Sequence, residues 1–261
     1  MYVVTGKVAL VTGGSRGIGA GIARELLKAG LKGVTIIDVN EEEGLNLVAE
    51  LNNEFGQGKA LFFKTDVSLR EEVDAALRRT VEVYNNLDIV INNAVINGER
   101  DWERNIAVNL IGTINGTVLA HEKYLETYRS GEEAVIINVS SVAGLYPCAP
   151  LPIYATAKSG IIALTRSLGC SPHYTRTKIK VIAVCPGTTD TPALTIVKFL
   201  GPAYSDLYDD LRKCTPPPQR VSSVSKGILQ IIEEGESGSV WVVEQNKKPS
   251  ELEFLIRTQS E

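Results

Sequence analysis

The sequence predicts an α/β protein, a doubly wound parallel sheet of about seven strands with helices on both faces, in a single domain over 1–261. Three observations predict it. Short runs rich in β-branched residues alternate with longer helical stretches along the chain, the rhythm of strand–helix–strand units. The runs are continuously apolar rather than alternating, as strands buried on both faces require. A glycine-rich turn follows the first run and opens the first helical stretch.

The expected strands are Val8–Val11, Val34–Ile37, Ala60–Phe63, Ile89–Ile91, Val135–Val139, Val181–Val184 and Val240–Val243. Helical segments are expected near 17–30, 41–55, 69–85, 101–128, 154–174 and 222–235. Such crossovers are right-handed, and ligands bind at the carboxyl ends of the strands. The region 186–221 breaks the rhythm with six prolines and several aromatics. It reads as a long excursion, a substrate-binding loop or lid. The tail 244–261 carries Leu252, Phe254, Leu255 and Ile256, which suit a cover for the substrate mouth or a partner subunit. Small residues Ala155, Ala157, Gly160 and Ala163 suit close helix packing.

Composition narrows the function. Charged residues are 22% and hydrophobic residues 44%, an ordinary soluble balance. A net charge of −4 does not advertise nucleic acid or an acidic membrane surface. No apolar run approaches a membrane span, and no signal-peptide pattern opens the chain, so the default address is cytoplasmic. Cys148, Cys170, Cys185 and Cys214 form no Cys-x-x-Cys pair and read as reduced, mostly buried thiols. His121 and His173 show no zinc spacing, and no metal is expected.

The turn Thr12-Gly13-Gly14-Ser15-Arg16-Gly17-Ile18-Gly19 has the spacing G-x-x-x-G-x-G. Glycines permit a tight turn and close approach to a pyrophosphate, and the helix start behind them offers N–H groups and a positive dipole end. Between a first strand and a first helix this is a dinucleotide signal of the Rossmann kind. Asp38 ends the second strand, where a carboxylate hydrogen-bonds a ribose 2′-OH and repels a 2′-phosphate. That favours NAD. Arg16 argues the other way, since it can pair with a phosphate. Asp38 also fits a helix N-cap.

Tyr154 and Lys158 stand four residues apart, on one face of a helix, with Ser141 13 residues before the tyrosine. A phenol ordinarily titrates near ~10, and bringing it to neutrality takes roughly 4 kcal/mol of differential interaction. A neighbouring ammonium can supply it, and such a phenolate takes a proton from an alcohol while a serine hydroxyl holds the substrate oxygen. The spacing alone is weak: Tyr174 and Lys178 repeat it, with Ile161 at the serine place. They read as a helix end and a strand start.

With these residues placed, the chain resembles the short-chain dehydrogenase/reductase family over essentially its whole length. The glycine turn, Asp66, Asn92-Asn93-Ala94, Asn109, Ser141, Tyr154, Lys158, Pro186-Gly187 and Thr191 carry the resemblance. It is nearest two branches, the NAD-dependent 15-hydroxyprostaglandin dehydrogenases and the insect-type alcohol dehydrogenases, through the stretch Trp102–Leu110, Glu25–Lys28 and Gly238–Trp241. It implies that Asp66 and Val67 meet the adenine, Asn92 pins the central strands, and Asn109 holds a water in a proton relay. It implies further cofactor contacts at Gly13, Ser15, Arg16, Gly17, Ile18, Gly19, Asp38, Ala94, Pro186 and Gly187. Thr188 and Thr191 would hold the carboxamide, and Tyr154 and Lys158 the nicotinamide ribose. Singly, Asp66 reads as a turn residue, Asn109 as a helix kink and Thr191 as a helix cap. Members are commonly homodimers or homotetramers.

Two departures stand out. Val95 occupies the family's usual glycine place, where a β-branched residue cannot easily take a positive φ. Leu151 replaces the glutamine of the prostaglandin enzymes, which removes a polar contact to that substrate. The expected substrate wall is Tyr146, Cys148, Leu151, Leu194, Phe199, Leu200, Tyr204 and Leu207, mostly apolar, which suits a lipophilic alcohol or carbonyl. Two other readings stay open: an NADPH-dependent carbonyl reductase using Arg16, and a weakly active cofactor-binding scaffold.

Overall fold

The computed structural model of the protein describes residues 1–192 and 199–254. Leu194, Leu255 and Ile256 lie outside the described residues. Seven parallel strands form one sheet: β1 (Val8–Thr12), β2 (Gly33–Asp38), β3 (Ala60–Lys64), β4 (Ile89–Asn92), β5 (Ala134–Val139), β6 (Ile179–Pro186) and β7 (Val240–Val243). An eighth, β8 (Ser250–Glu251), runs antiparallel to β7. The order is β3-β2-β1-β4-β5-β6-β7-β8. Every residue of β1, β4, β5 and β6 is buried, as their unbroken apolar runs require.

Helices cover both faces. On one, Ile22 and Leu26 of α1 (Gly17–Lys28), Leu47 of α2 (Glu41–Phe55) and Val224, Ile228 and Ile231 of α10 (Val221–Glu234) pack on Val11, Ile36, Ile91 and Ile137. On the other, Val73 and Leu77 of α3 (Arg70–Tyr84) and the long 102–128 segment pack on Leu10, Val90 and Ile136. That segment is α4 (Trp102–Ile106), α5 (Gly112–Leu119) and α6 (Leu125–Tyr128), joined by π-helical turns at Ala107–Ile111 and Ala120–Tyr124.

The strand order reverses between β1 and β4, and sheets of this kind hold their ligand in a crevice at the carboxyl ends of the strands beside such a reversal. The expected helix 154–174 is two helices, α7 (Pro152–Leu168) and α8 (Ser171–Thr177). Gly169 breaks them: a Cβ there would lie 2.3 Å from the backbone nitrogen of Gly238. Tyr174 ends up in α8, and Lys178 adopts the left-handed conformation just before β6. The excursion 186–221 contains a helix the sequence reading omitted, α9 (Pro202–Cys214), with no buried residue. The small residues of α7 do not share one face. Ala157 is buried, Gly160 packs against Leu110, and Ala163 is exposed. Of the four cysteines only Cys185 is buried, because Cys170 and Cys214 sit at helix ends facing outward. No helix among the described residues is long and apolar enough to cross a membrane.

Candidate active site

The glycine turn is shaped from β4. Thr12 Oγ1 accepts from the backbone N–H groups of Asn93 and Ala94, each at 2.9 Å. Asn93 Nδ2 donates back to the carbonyls of Thr12 and Gly13 at 3.1 and 2.9 Å. This lock brings the turn so close that a Cβ on Gly13 would lie 2.6 Å from Ala94 Cα, and Gly13 has φ +58°. A Cβ on Gly19 would lie 2.4 Å from the Gly13 carbonyl oxygen. Helix α1 starts with no side-chain cap and no acidic residue in its first turn, so its start favours an anion.

Asp38 lies against this turn. Its Oδ2 accepts from Ser15 Oγ at 2.6 Å and Ser15 N at 3.2 Å, and its Oδ1 accepts from Asn40 N at 3.1 Å. The cap of α2 is Asn40, whose side chain accepts from Glu43 N, and not Asp38 as the alternative reading had it. Asp38 Oδ1 keeps acceptor capacity for a hydroxyl. Arg16 Nη1 lies 3.4 Å from Glu43 Oε1, so its charge is already paired. Asp66 is enclosed by its own chain, accepting from Ser68 Oγ at 2.7 Å and Arg104 Nη2 at 2.7 Å. Burial raises its pKa, but the bonds from Ser68 and Arg104 outweigh that and leave it below the usual carboxylate value. Val67 is buried under Gly112, and its carbonyl accepts from Asn115 Nδ2.

Asn92 is buried between β4 and β5. Its Nδ2 donates to Asn138 Oδ1 at 2.9 Å and Thr117 Oγ1 at 3.1 Å, and Asn138 Nδ2 donates to Thr165 Oγ1 at 3.0 Å. This chain of amides ties two central strands to α5 and α7. Across the crevice, Pro186 pairs in register with Val243, and Gly187 N donates to the Val243 carbonyl. The Thr188 carbonyl accepts from Gln219 N, while Gln219 Nε2 donates to Val243 O at 2.7 Å. The loop then brings Thr191 over the glycine turn: a Cβ on Gly17 would lie 3.3 Å from Thr191 Cγ2. Thr191 thus meets the glycine turn from the β6 side.

Ser141 leaves β5 and caps the short 3₁₀ turn Val142–Gly144, accepting from Ala143 N at 3.2 Å. Its hydroxyl also acts on the phenol of Tyr154, in the first turn of α7, and lowers its pKa. Lys158, one turn on, lies with Nζ 5.5 Å from the centre of the Tyr154 ring. That ammonium is fully enclosed and donates to the Val139 carbonyl at 2.9 Å. Burial lowers its pKa to about 8. Burial likewise pushes Tyr154 up to about 12, although the Ser141 bond pulls it down. The chain by itself therefore does not lower the phenol as the sequence reading expects, because removal from water outweighs that bond. Cys185 lies beside this group: burial raises its thiol to about 11, while Ser140, the Ser141 backbone and the Lys158 charge pull it down.

Asn109 lies in the π-helical turn, and its amide is spent on the loop after β4: Nδ2 donates to Ile96 O at 2.9 Å and Asn105 Oδ1 at 2.8 Å, and Oδ1 accepts from Ile96 N. Val95 is not strained. Among the described residues, the non-glycine ones with positive φ are Asn85, Lys178, Gln245 and Asn246, so this loop runs through position 95 in a backbone region open to valine. Tyr146 lines, with Ala155, Thr156 and Ser159, a cleft of about 420 Å³. Phe199 stacks on Tyr208 at 5.2 Å, while Leu200 and Leu207 are exposed. Leu252 and Phe254 of the tail, like Val142 and Leu145, pack against the cluster of Ile162, Ala183, Cys185, Val240 and Val242, and Arg166 sits 3.9 Å over the Phe254 ring.

Residues 7–198 match the short chain dehydrogenase family. The chain belongs to that family. It is 40% identical over 191 residues, 73% of this chain and 71% of the relative, to 15-hydroxyprostaglandin dehydrogenase [NAD(+)] of Bos taurus. It is 27% identical to alcohol dehydrogenase 2 of Ceratitis capitata over 93% of each chain. Among solved structures, a short chain dehydrogenase/reductase from Burkholderia phymatum in complex with NAD superimposes with a TM-score of 0.79, at 21% identity, over 94% of this chain and 90% of that one. This last likeness speaks to the fold, which the short chain dehydrogenases share.

Proposed function

We propose that this short chain dehydrogenase is an NAD-dependent oxidoreductase that interconverts a lipophilic secondary or primary alcohol and its carbonyl. The observation that carries it is the juxtaposition of the Tyr154 phenol, the Ser141 hydroxyl and the Lys158 ammonium beside a crevice walled by the glycine turn and Thr191. The crevice fits the cofactor. Its glycines leave space that a Cβ would fill, the start of α1 suits a pyrophosphate, and Asp38 offers an acceptor for a ribose hydroxyl. Asp38 and Glu43, which holds Arg16, both disfavour a 2′-phosphate.

NAD, when bound, supplies the hydride acceptor and, in its oxidised form, a positive charge. The chain supplies position and proton handling. Ser141 Oγ hydrogen-bonds the substrate oxygen and stabilises charge that develops there. Tyr154 Oη takes the hydroxyl proton during oxidation and returns it during reduction. Lys158 Nζ, brought down to about 8 by its burial, passes protons outward past the turn that holds Asn109, and the positive charge of oxidised NAD would bias the phenol toward its anion.

The proposal has lesser parts. The whole chain acts as one domain, supported by a single continuous sheet, with 186–221 over the substrate and the tail 244–261 beside it. It works in the cytoplasm as a homodimer or homotetramer, as its family resemblance implies. The test is a screen of lipophilic secondary and primary alcohols with NAD, read by NADH formation. NADH should form with several, and faster than NADPH does from NADP. Saturable NADH binding without turnover on any alcohol or ketone would overturn the enzyme reading in favour of a cofactor-binding scaffold.

A further inference from the structure

The loop between β4 and α4 carries an acid that the mechanism above does not use. Glu99 is wholly buried, and its two carboxylate oxygens each take one backbone N–H of helix α7: Oε2 from Ile153 at 2.8 Å and Oε1 from Tyr154 at 2.9 Å. These are the first two N–H groups the helix has, because Pro152 at its start has none. Leu151, in the cap position, offers no side-chain bond. The helix that bears Tyr154 is therefore capped from a loop over fifty residues away in sequence rather than by its own neighbour. A buried carboxylate on free N–H groups at a helix start is a strong, charge-assisted arrangement.

The loop is itself held in place. The Asn109 amide clamps both backbone groups of Ile96, Asn109 Nδ2 donates to Asn105 Oδ1, and Asn105 Nδ2 donates to the Gly98 carbonyl at 3.2 Å. All three side chains, Asn105, Asn109 and Glu99, are fully enclosed. A rigid path of hydrogen bonds thus runs from the π-helical turn through the loop to the backbone nitrogen of Tyr154. A local cap would stabilise α7 equally well; a cap delivered from another element also fixes where the first turn sits.

We propose that Glu99 is a positioning residue: it sets the height and rotation of the first turn of α7 and so aims the Tyr154 phenol at Ser141 and the substrate oxygen. This rests on the reading of Tyr154 as the proton-transfer group. Misplacing a reacting group by about 1 Å costs on the order of 100-fold in rate.

The test uses the full chain and two variants. Glu99→Ala removes both acceptors, and Glu99→Gln keeps the volume and one acceptor. Expected for Ala is a fall in kcat of about 100-fold, and for Gln about 10-fold, with NADH Kd within about 2-fold of the parent in both. Partial rescue by Gln and a kcat loss without a cofactor-binding loss separate positioning from general damage to the fold. Wild-type kcat in Glu99→Gln together with Glu99→Ala would overturn the proposal. So would kcat and NADH affinity falling in parallel in both variants. A second arm needs no turnover: amide hydrogen exchange at Ile153 and Tyr154 should speed up about 10-fold or more in both variants, and unchanged exchange would also overturn it. If the parent oxidises no alcohol, the functional reading fails, and the exchange arm still judges Glu99.

Discussion

The two sides of the crevice are built differently. On the β1–β5 side, the polar side chains at the strand ends, Thr12, Asn92, Asn93 and Asn138, are buried and bonded to one another or to backbone. On the other side the chain leaves Gly187, is tied back by Gln219, and then carries α9 with no residue buried. A buried polar group needs its partner, since losing it costs about 1–3 kcal/mol, so the first side has little freedom to vary. An exposed amphipathic helix has no such constraint. The proposed chemistry thus sits where side chains are locked, and the proposed substrate cover sits in the part that is not.

Substitutions can break or sharpen this contrast. The largest effect is expected at the reacting group: Tyr154→Phe should lower kcat by about 10²–10⁴-fold. NADH affinity by fluorescence titration should stay within about 2-fold, and retained turnover would remove Tyr154 from its role. Next comes the cofactor side. Asp38→Ala should shift the NAD-to-NADP ratio of kcat/KM by about 10-fold toward NADP, worth about 1.4 kcal/mol. Adding Glu43→Gln should widen the shift by freeing Arg16, and an unchanged ratio in the double variant would show that neither acid selects the cofactor.

A smaller effect concerns pH. The Ser141 bond lowers the Tyr154 pKa, so Ser141→Ala should raise it. Oxidation uses the deprotonated phenol, so the acid limb of the kcat/KM profile should move to higher pH, along with a loss in rate. A limb that stays or moves down would contradict the bond. The smallest effect is expected on α9. Leu207→Ala should change stability by no more than about 0.5 kcal/mol, because Leu207 is exposed. KM should rise for long-chain alcohols and not for short ones, and a marked drop in Tm would show that α9 belongs to the core after all.

The same contrast explains what could be read from the sequence. All seven parallel strands were legible to within about two residues, because unbroken β-branched runs between glycine and proline admit few other buried structures. Gly13, Asp38, Ser141 and Lys158 were legible because local spacing places them at strand ends or on one helix face. Glu99 was not. In Gly98-Glu99-Arg100-Asp101 it looks like one more solvated charge, and its partners are known only once the loop meets α7. Helix α9 was hidden by the prolines around it, although Pro202 at its first position is a regular helix start. The expected pull of Lys158 on Tyr154 went astray for a related reason: spacing shows that two groups are neighbours, and burial decides what that does to their protons.

The short ribbon β8 has a consequence for assembly. A parallel sheet ends in a row of backbone donors and acceptors that invites a neighbouring chain to join on. At Trp241 and Val242 the returning tail takes up that row, and Leu252 extends the seal by donating to Val240. A second molecule could not pair with β7 at these residues without first peeling the ribbon away; what it meets instead is the two-residue edge of β8, too short to hold a long partner strand.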